Sequence, residues 1–480
     1  MVEKFFITTP IYYPNREPTI GSAYTTIAAD VLARWNRLKG KKVFFLTGLD
    51  ENSIKVSKAA KEAGYQDVQR YVDEMAKKWI EVWKKLKISW DGFIRTTEER
   101  HKKVVREFFR RVWEKGDIYK GVYQGLYCEG CEAFLTESEL VDGLCPLHKK
   151  KPKPLSEENY FFRLSRYQEK LLDYIEKNPD FIQPESRRNE VISFIKAGLK
   201  DISISRPGLD WGITLPVDES HRFWVWFDAL LNYISGSEGN WPAELHLVGK
   251  DILRFHAVIW PAMLFSAEEP LPKRVYAHGF LTIDGQKISK SLGNAIDPIW
   301  LAEKYGLDTL RYFLLRHIPF GEDGDFSEKA LVERHNGELV AELGNLVYRV
   351  LSLAERYQGE IKGEDELSNL LDFERIDKHM ERLEFHHALE AIWDFLKAVN
   401  RYINEREPWK LEGEELAGVL YNLLEALRVI AILISPFMPD TAEKICQQLG
   451  VKLGNFQQLK FGRFEGKPKK GEMLFKKISA

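Results

Sequence analysis

Two stretches of this chain gather the residue types that do chemistry. The first is His278-Gly279-Phe280-Leu281-Thr282-Ile283-Asp284-Gly285-Gln286-Lys287-Ile288-Ser289-Lys290-Ser291-Leu292-Gly293-Asn294. Asp284-Gly285 follows an apolar alternating run and signals a tight turn. Beyond it, Lys287, Ser289, Lys290, Ser291 and Gly293 crowd one short loop. Ammonium groups offset phosphate charge, and hydroxyls and exposed backbone N–H groups bond phosphate oxygens. A Lys-Ser cluster standing alone is ordinarily a solvated basic turn, so its meaning depends on its company. The second stretch is Cys128-Glu129-Gly130-Cys131 with Cys145-Pro146-Leu147-His148, two Cys-x-x-ligand hooks a hairpin's length apart. Three thiolates and one imidazole close a tetrahedral structural zinc site, which leaves no open position for catalysis. With only four cysteines in the chain, this reads as a metal knuckle in a reducing compartment and not as a disulfide framework.

These residues need elements to hold them. Residues 4 to 13 read as a buried strand entering a loop, and Thr19 or Ser22 could cap the next helix, whose apolar face is Ala23, Ile27, Val31, Leu32 and Trp35. Strand, loop and helix N-terminus form an anion-binding arrangement. Val43 to Leu49 is a second buried strand, ending at Asp50-Glu51. Strands alternating with amphipathic helices imply a parallel sheet whose ligands sit at the strands' carboxyl ends, where Asp50 falls. Asp50 could equally be a turn residue or a cap. Charged helices follow at about 67–86 and 97–115, with Trp79, Trp83, Phe108, Val112 and Trp113 as buried stripe. Residues 149–154 read as a linker, and 166–178 and 187–199 as helices. The aromatic run Phe223 to Tyr233 reads as a strand entering a helix. Glu244 to Asp251 is another strand, followed by a helix over 252–264 carrying Phe255, His256 and Trp260. Helical stripes occupy 301–315, Asp323-Gly324-Asp325 marks a turn, and the rest is a helical bundle with apolar residues three and four apart.

A length of 480 residues suggests about three domains. The 70 basic and 72 acidic side chains nearly cancel, so a nucleic-acid partner would need a local basic face. Neither a signal peptide nor an apolar run long enough to span a membrane is evident, and a cytoplasmic protein is expected.

Lys287-Ile288-Ser289-Lys290-Ser291 resembles the lysine-serine signature loop of class I aminoacyl-tRNA synthetases. Its flanks, His278-Gly279 and Leu292-Gly293-Asn294, resemble the methionyl branch of that class. The resemblance implies an α/β fold: a Rossmann-type parallel-sheet catalytic domain with a zinc-knuckle insertion, followed by an α-helical anticodon-binding domain. The implied divisions are 1–115 and 207–275 for the catalytic halves, 116–206 for the insertion, 276–335 for the lysine-loop region and 336–480 for the helical domain. It implies ATP with Mg2+ as substrate, structural Zn2+, and methionine and tRNA(Met), including initiator tRNA, as partners. For ATP it points to Gly21, His278, Gly279, Lys287, Ser289 and Lys290, with Lys287 and Lys290 on the triphosphate. The methionine positions are Pro10, Ile11, Tyr13, Trp226, Ala229, Leu230, Tyr233, Ile252, Phe255 and His256, with Asp50 facing the ammonium group. Zinc falls to Cys128, Cys131, Cys145 and His148, and the anticodon to Asn345, Arg349 and Trp409; on spacing alone Asn345 and Arg349 are a solvated helix face. No oligonucleotide-binding domain of the kind that dimerises some family members follows Lys467-Pro468-Lys469-Lys470, and a monomer is expected.

The chain departs from the family where catalysis is concentrated. The family's His-x-Gly-His is here Thr19-Ile20-Gly21-Ser22, and its Asp-x-His-Gly is Asp50-Glu51-Asn52-Ser53. Thr19 and Ser22 stand at the catalytic positions and offer hydroxyls but never a positive charge. Losing one preorganised donor costs about 2.7–4 kcal/mol, roughly 10²–10³ in rate. The expectation is a weakened ligase; the alternative is a catalytically inactive tRNA-binding protein of the same fold. A ligase for leucine, isoleucine or valine is disfavoured, because the segment between Trp113 and Pro207 is too short for an editing insertion beside the knuckle.

Overall fold

Apolar runs that do not alternate, such as Phe5-Phe6-Ile7 and Phe45-Leu46, are buried on both faces and form strands of a helix-covered parallel sheet. The computed structural model describes residues 2–131, 133–283, 286–288 and 296–479. It divides into two units, Phe5–Pro18 with Phe44–His278, and Met1–Lys4 with Thr19–Val43 and Gly279–Ala480.

The first unit carries the six-stranded sheet, in the order Gly92–Arg95, Lys42–Leu49, Lys4–Tyr12, Leu245–Gly249, Val275–His278, Ile182–Gln183. Leu46 pairs with Gly92, Ile7 with Leu245 and His246 with Val275, all parallel. The strand order reverses between Lys4–Tyr12 and Leu245–Gly249, and ligands of open α/β sheets bind outside the carboxyl ends at such a point. Helix Glu99–Glu114 buries Phe108 and Phe109 against Phe223, Phe227 and Trp260; of the expected stripe Phe108 and Val112 are buried and Trp113 is half-buried. A four-stranded antiparallel sheet forms the insertion, in which Ile118–Cys128 pairs with Lys153–Phe162 from Ile118↔Phe162 to Tyr127↔Lys153. The expected linker 149–154 is therefore shorter than its composition suggests, because Lys153 and Pro154 already belong to a strand.

The expected helix over 252–264 is three pieces: a 3₁₀ turn Lys250–Ile252, a π-helical turn Phe255–Ile259 and an α-helix Trp260–Ala267. Trp260 N–H returns to Phe255 O. Pro261 has no N–H to give Ala257, and the wider turn accommodates that loss.

The second unit holds helix Ile20–Leu38 and the C-terminal bundle, including Phe385–Arg406, Gly413–Ile434 and Pro439–Leu449. Asp30 on the first of these helices is fully buried with Arg311 at 2.6 Å, and the same guanidinium donates to Pro436 O and Phe437 O, each at 2.9 Å. Nearer the helix's end Trp35 stacks on Phe373, its Nε1–H donates to Asp377 at 2.8 Å, and Lys39 pairs with the same carboxylate at 2.7 Å. Asp323-Gly324-Asp325 is not merely a turn: Gly324–Asp325 is a short strand pairing in parallel with Leu281 and Thr282. Among the described residues one helix is long and apolar enough to cross a membrane, contrary to expectation. That helix is Gly413–Ile434, and 89% of its apolar window is buried within the protein, as in a core helix.

Candidate active site

The strand Lys4–Tyr12 delivers Pro10 and Ile11 to its carboxyl end, with Tyr13 one residue beyond. Asp50, only 4% exposed, follows strand Lys42–Leu49 and receives its backbone register from Tyr12 O, which accepts Asp50 N–H at 2.9 Å. Across the switch point the short helices Val225–Ala229 and Asn232–Ser235 supply Trp226, Ala229 and Tyr233, with Leu230 between them. The π turn supplies Phe255 and His256, and Ile252 precedes it. Trp226 lies flat on Phe255, ring centroids 3.8 Å apart, and edge-on to His256 at 6.3 Å. An aromatic wall of this kind suits a flexible thioether, whose sulfur–ring contacts are worth about 0.3–1.5 kcal/mol each.

Hydrogen bonds fix the tautomers. His256 Nδ1–H donates to Ile252 O at 2.9 Å, which leaves Nε2 to accept the Tyr233 hydroxyl at 2.6 Å. Burial pushes His256 down to about 4 and the Tyr233 phenol up, so both are neutral near pH 7. Behind them is a second buried histidine that sequence reasoning passes over. His246 Nε2 accepts from Trp260 Nε1–H at 3.3 Å, Nδ1–H donates to Thr8 Oγ1 at 2.7 Å, and the ring lies 4.1 Å from Tyr233. Burial holds it well below the usual imidazole range.

Two further carboxylates are buried in the same unit. Glu51 is fully buried, paired with Arg95 at 2.7 Å and accepting from Thr97; burial pushes it up, against the opposing pull of Arg95. Asp228 is buried beside His101 Nε2 at 3.4 Å and accepts Asn52 Nδ2–H at 3.2 Å. Asn52 also donates to Thr96 O at 3.2 Å, so its amide serves the protein's own framework. His101 sits on the stripe of Val105, Phe108 and Val112, and that spacing was the available signal.

In the other unit, Thr19 caps helix Ile20–Leu38, and Ser22 Oγ accepts Thr19 N–H at 3.0 Å while donating to Thr19 O at 2.8 Å. Among the described residues, a Cβ on Gly21 would meet no protein atom closer than Thr19 Oγ1 at 3.7 Å. Gly279 is required by packing, since a Cβ there would lie 2.0 Å from Glu322 O. His278 ends its strand, buried in the first unit. Strands Leu281–Ile283 and Gln286–Lys287 pair antiparallel with Ile283 opposite Gln286. Lys287 enters only as the end of that strand; Ser289, Lys290 and the expected turn Asp284-Gly285 lie outside the described residues.

Cys128, Cys131, Cys145 and His148 converge, with all four ligand atoms within 4.8 Å of one another. His148 Nδ1 is 3.3 Å from Cys131 Sγ and 3.7 Å from Cys145 Sγ, and the sulfurs of Cys131 and Cys145 are 3.5 Å apart. Tetrahedral zinc spaces such atoms by roughly 3.4–3.8 Å, so the donor set fits the ion. Gly130 is obligatory in the first hook, because a Cβ would lie 2.4 Å from His148 Cγ.

The helical domain brings its three expected residues to one place. Asn345 starts helix Asn345–Ala354, and Arg349 lies one turn on, its guanidinium 5.7 Å from the ring of Trp409. Trp409 is 51% exposed on the 3₁₀ turn Pro408–Lys410.

Residues 5–153 and 138–351 match the family model described as tRNA synthetases class I (M), and residues 371–473 that of the anticodon-binding domain of tRNA ligase. The fold is that of a class I aminoacyl-tRNA synthetase. The chain is 48% identical to the methionine–tRNA ligase of Caldanaerobacter subterraneus subsp. tengcongensis, covering 100% of this chain and 79% of that one. It is also 48% identical to the Thermotoga maritima ligase, over 99% of this chain and 81% of that one. Among solved structures, Mycobacterium tuberculosis methionyl-tRNA synthetase in complex with methionyl-adenylate superposes with a TM-score of 0.94 at 42% identity, covering 99% of this chain and 100% of that one. The chain belongs to the methionyl-tRNA synthetase family, as its lysine-serine loop and cysteine hooks implied.

Proposed function

We propose that this chain joins methionine to tRNA(Met), initiator tRNA included, as a cytoplasmic monomer, with adenylate formation slowed by its altered signature. The observation that carries the reading is the Trp226–Phe255–His256–Tyr233 wall at the sheet's switch point, with Asp50 buried at the neighbouring strand end. In the first step the methionine carboxylate attacks the α-phosphorus of ATP-Mg2+ and pyrophosphate leaves. Transfer to the terminal ribose follows. Asp50 takes the ammonium group, the aromatic wall takes the thioether, and Lys287 with Lys290 offsets triphosphate charge; Ser289, His278, Gly279 and Gly21 complete the nucleotide contacts. No covalent enzyme intermediate is needed, so positioning and electrostatics supply the acceleration. Zn2+ held by Cys128, Cys131, Cys145 and His148 would be structural, and Asn345, Arg349 and Trp409 read the anticodon.

Three observations support the slowing. Ser22 Oγ is engaged with Thr19's own backbone, Asn52 with Asp228 and Thr96, and neither Thr19 nor Ser22 can carry positive charge. The test is methionine-dependent ATP–pyrophosphate exchange in this chain and in Thr19→His, Ser22→His. The double variant should exchange roughly 10²–10³-fold faster. Equal rates would refute the slowing, and exchange in neither protein would favour the tRNA-binding alternative.

A further inference from the structure

The anticodon face carries a second aromatic–cation pair that matches no position of the family's reader. Successive helical residues step by about 100°, so Tyr348 and Arg349 flank Asn345 on either side within one arc of helix Asn345–Ala354. On one flank Arg349 faces Trp409 at 5.7 Å. On the other, Lys470 Nζ stands 3.9 Å from the centroid of the Tyr348 ring. Tyr348 is 39% exposed, so its ring is accessible from solvent.

Lys470 is held there by its neighbours. Lys469 N–H donates to Gln448 O at 2.8 Å and Gly471 N–H to Gln448 Oε1 at 2.9 Å. Further on, Lys476 O bonds His335 Nε2, and Ile478 N–H and O bond the Asn336 side chain, all at 2.9 Å. The segment from 469 to 478 thus runs from Gln448, past Tyr348, to His335 and Asn336. Between 467 and 477 it contains five lysines and a single glutamate. Among the described residues none of those lysines forms an ion pair, and a concentrated positive charge in a nearly neutral chain is the local footprint of a polyanion.

We infer that Tyr348 and Lys470 form an additional single-stranded nucleotide site on the tRNA. The phenol ring stacks a base of the anticodon loop next to those met by Asn345, Arg349 and Trp409, and the ammonium group contacts its phosphate. The inference rests on the proposed anticodon role of the face. Tyr348 supplies a sequence-tolerant surface and Lys470 a salt-dependent contact, so the pair adds affinity more than discrimination.

The test is filter binding of a tRNA(Met) transcript to the full chain over a range of salt concentrations, with methionine-dependent ATP–pyrophosphate exchange as the tRNA-independent control. Tyr348→Ala should weaken binding about tenfold and leave exchange unchanged, while Tyr348→Phe, which keeps the ring, should bind as the parent does. Lys470→Gln should lower the slope of log affinity against log salt by about one. If Trp409→Ala weakens binding but Tyr348→Ala does not, or if Tyr348→Phe is as weak as Tyr348→Ala, the inference falls and the anticodon reading stands. If Trp409→Ala is also without effect, both fall.

Discussion

Replacing Tyr233 with Phe removes one oxygen from the methionine wall and should change how the protein's stability depends on pH. The hydroxyl donates at 2.6 Å to His256 Nε2, and both side chains are 1% exposed. Without it, a buried acceptor loses its donor, at a cost of about 1–3 kcal/mol near neutral pH. The pH dependence follows from the histidine. Its ordinary value is 6.5 and burial holds it at about 4 in the folded chain. Above 6.5 the imidazole is neutral folded or unfolded, and its contribution is constant. As pH falls from 6.5 to 4 the unfolded chain takes up a proton that the folded chain refuses, and about 3 kcal/mol of stability is lost. Tyr233 favours the neutral ring by donating to its lone pair, so Tyr233→Phe should move His256 back toward 6.5. The variant should be the less stable at pH 7.5, and its deficit should shrink toward pH 4.5. His246 titrates in both proteins and cancels in the difference. Thermal unfolding followed by tryptophan fluorescence across this range measures that difference. A deficit that stays constant with pH, or none at pH 7.5, would refute the assigned hydrogen bond.

Asp30→Ala should strand the buried Arg311 guanidinium and cost about 3–5 kcal/mol, whereas a combined Asp30→Met, Arg311→Met variant should recover much of the loss; melting temperatures would contradict this if the double variant were no better than the single. The purified chain should contain one zinc, by elemental analysis. Cys131→Ser and Gly130→Ala should both release it faster to a chelator, the second through collision with His148 alone, and retention by Gly130→Ala would count against the drawn hook.

What could be read without coordinates was whatever lies close together in the chain. The cysteine hooks and the lysine-serine loop are local patterns, and the helix stripes carry their own period. The methionine wall draws on residues 10–13, 50, 226–233 and 252–256, and only the resemblance joined them, because no periodicity links positions so far apart. His246 and Asp228 were passed over as polar groups because each sits singly in an apolar run, where composition says core, and their partners Thr8 and His101 lie more than a hundred residues away. The π turn escaped because it differs from a helix only in which carbonyl Trp260 meets, although Pro261 next to it was a usable hint. Lys153 was mistaken for linker since the strand that pairs with it is not its neighbour in sequence.

The ion pair between Asp30 and Arg311 also sets a timetable for synthesis. Its partners are 281 residues apart. At ribosomal rates of 5–20 residues per second, Asp30, which has Arg34 one helical turn away at 2.8 Å, waits roughly 15 to 55 s for the buried guanidinium of Arg311. The carbonyls of Pro436 and Phe437, which share that guanidinium, arrive 125 and 126 residues later still. The unit made of Phe5–Pro18 and Phe44–His278 is fully translated before Arg311 exists. Throughout that interval Asp30 lacks the buried partner that its dry final environment requires. The end of the chain, not its beginning, therefore decides when this buried ion pair is complete.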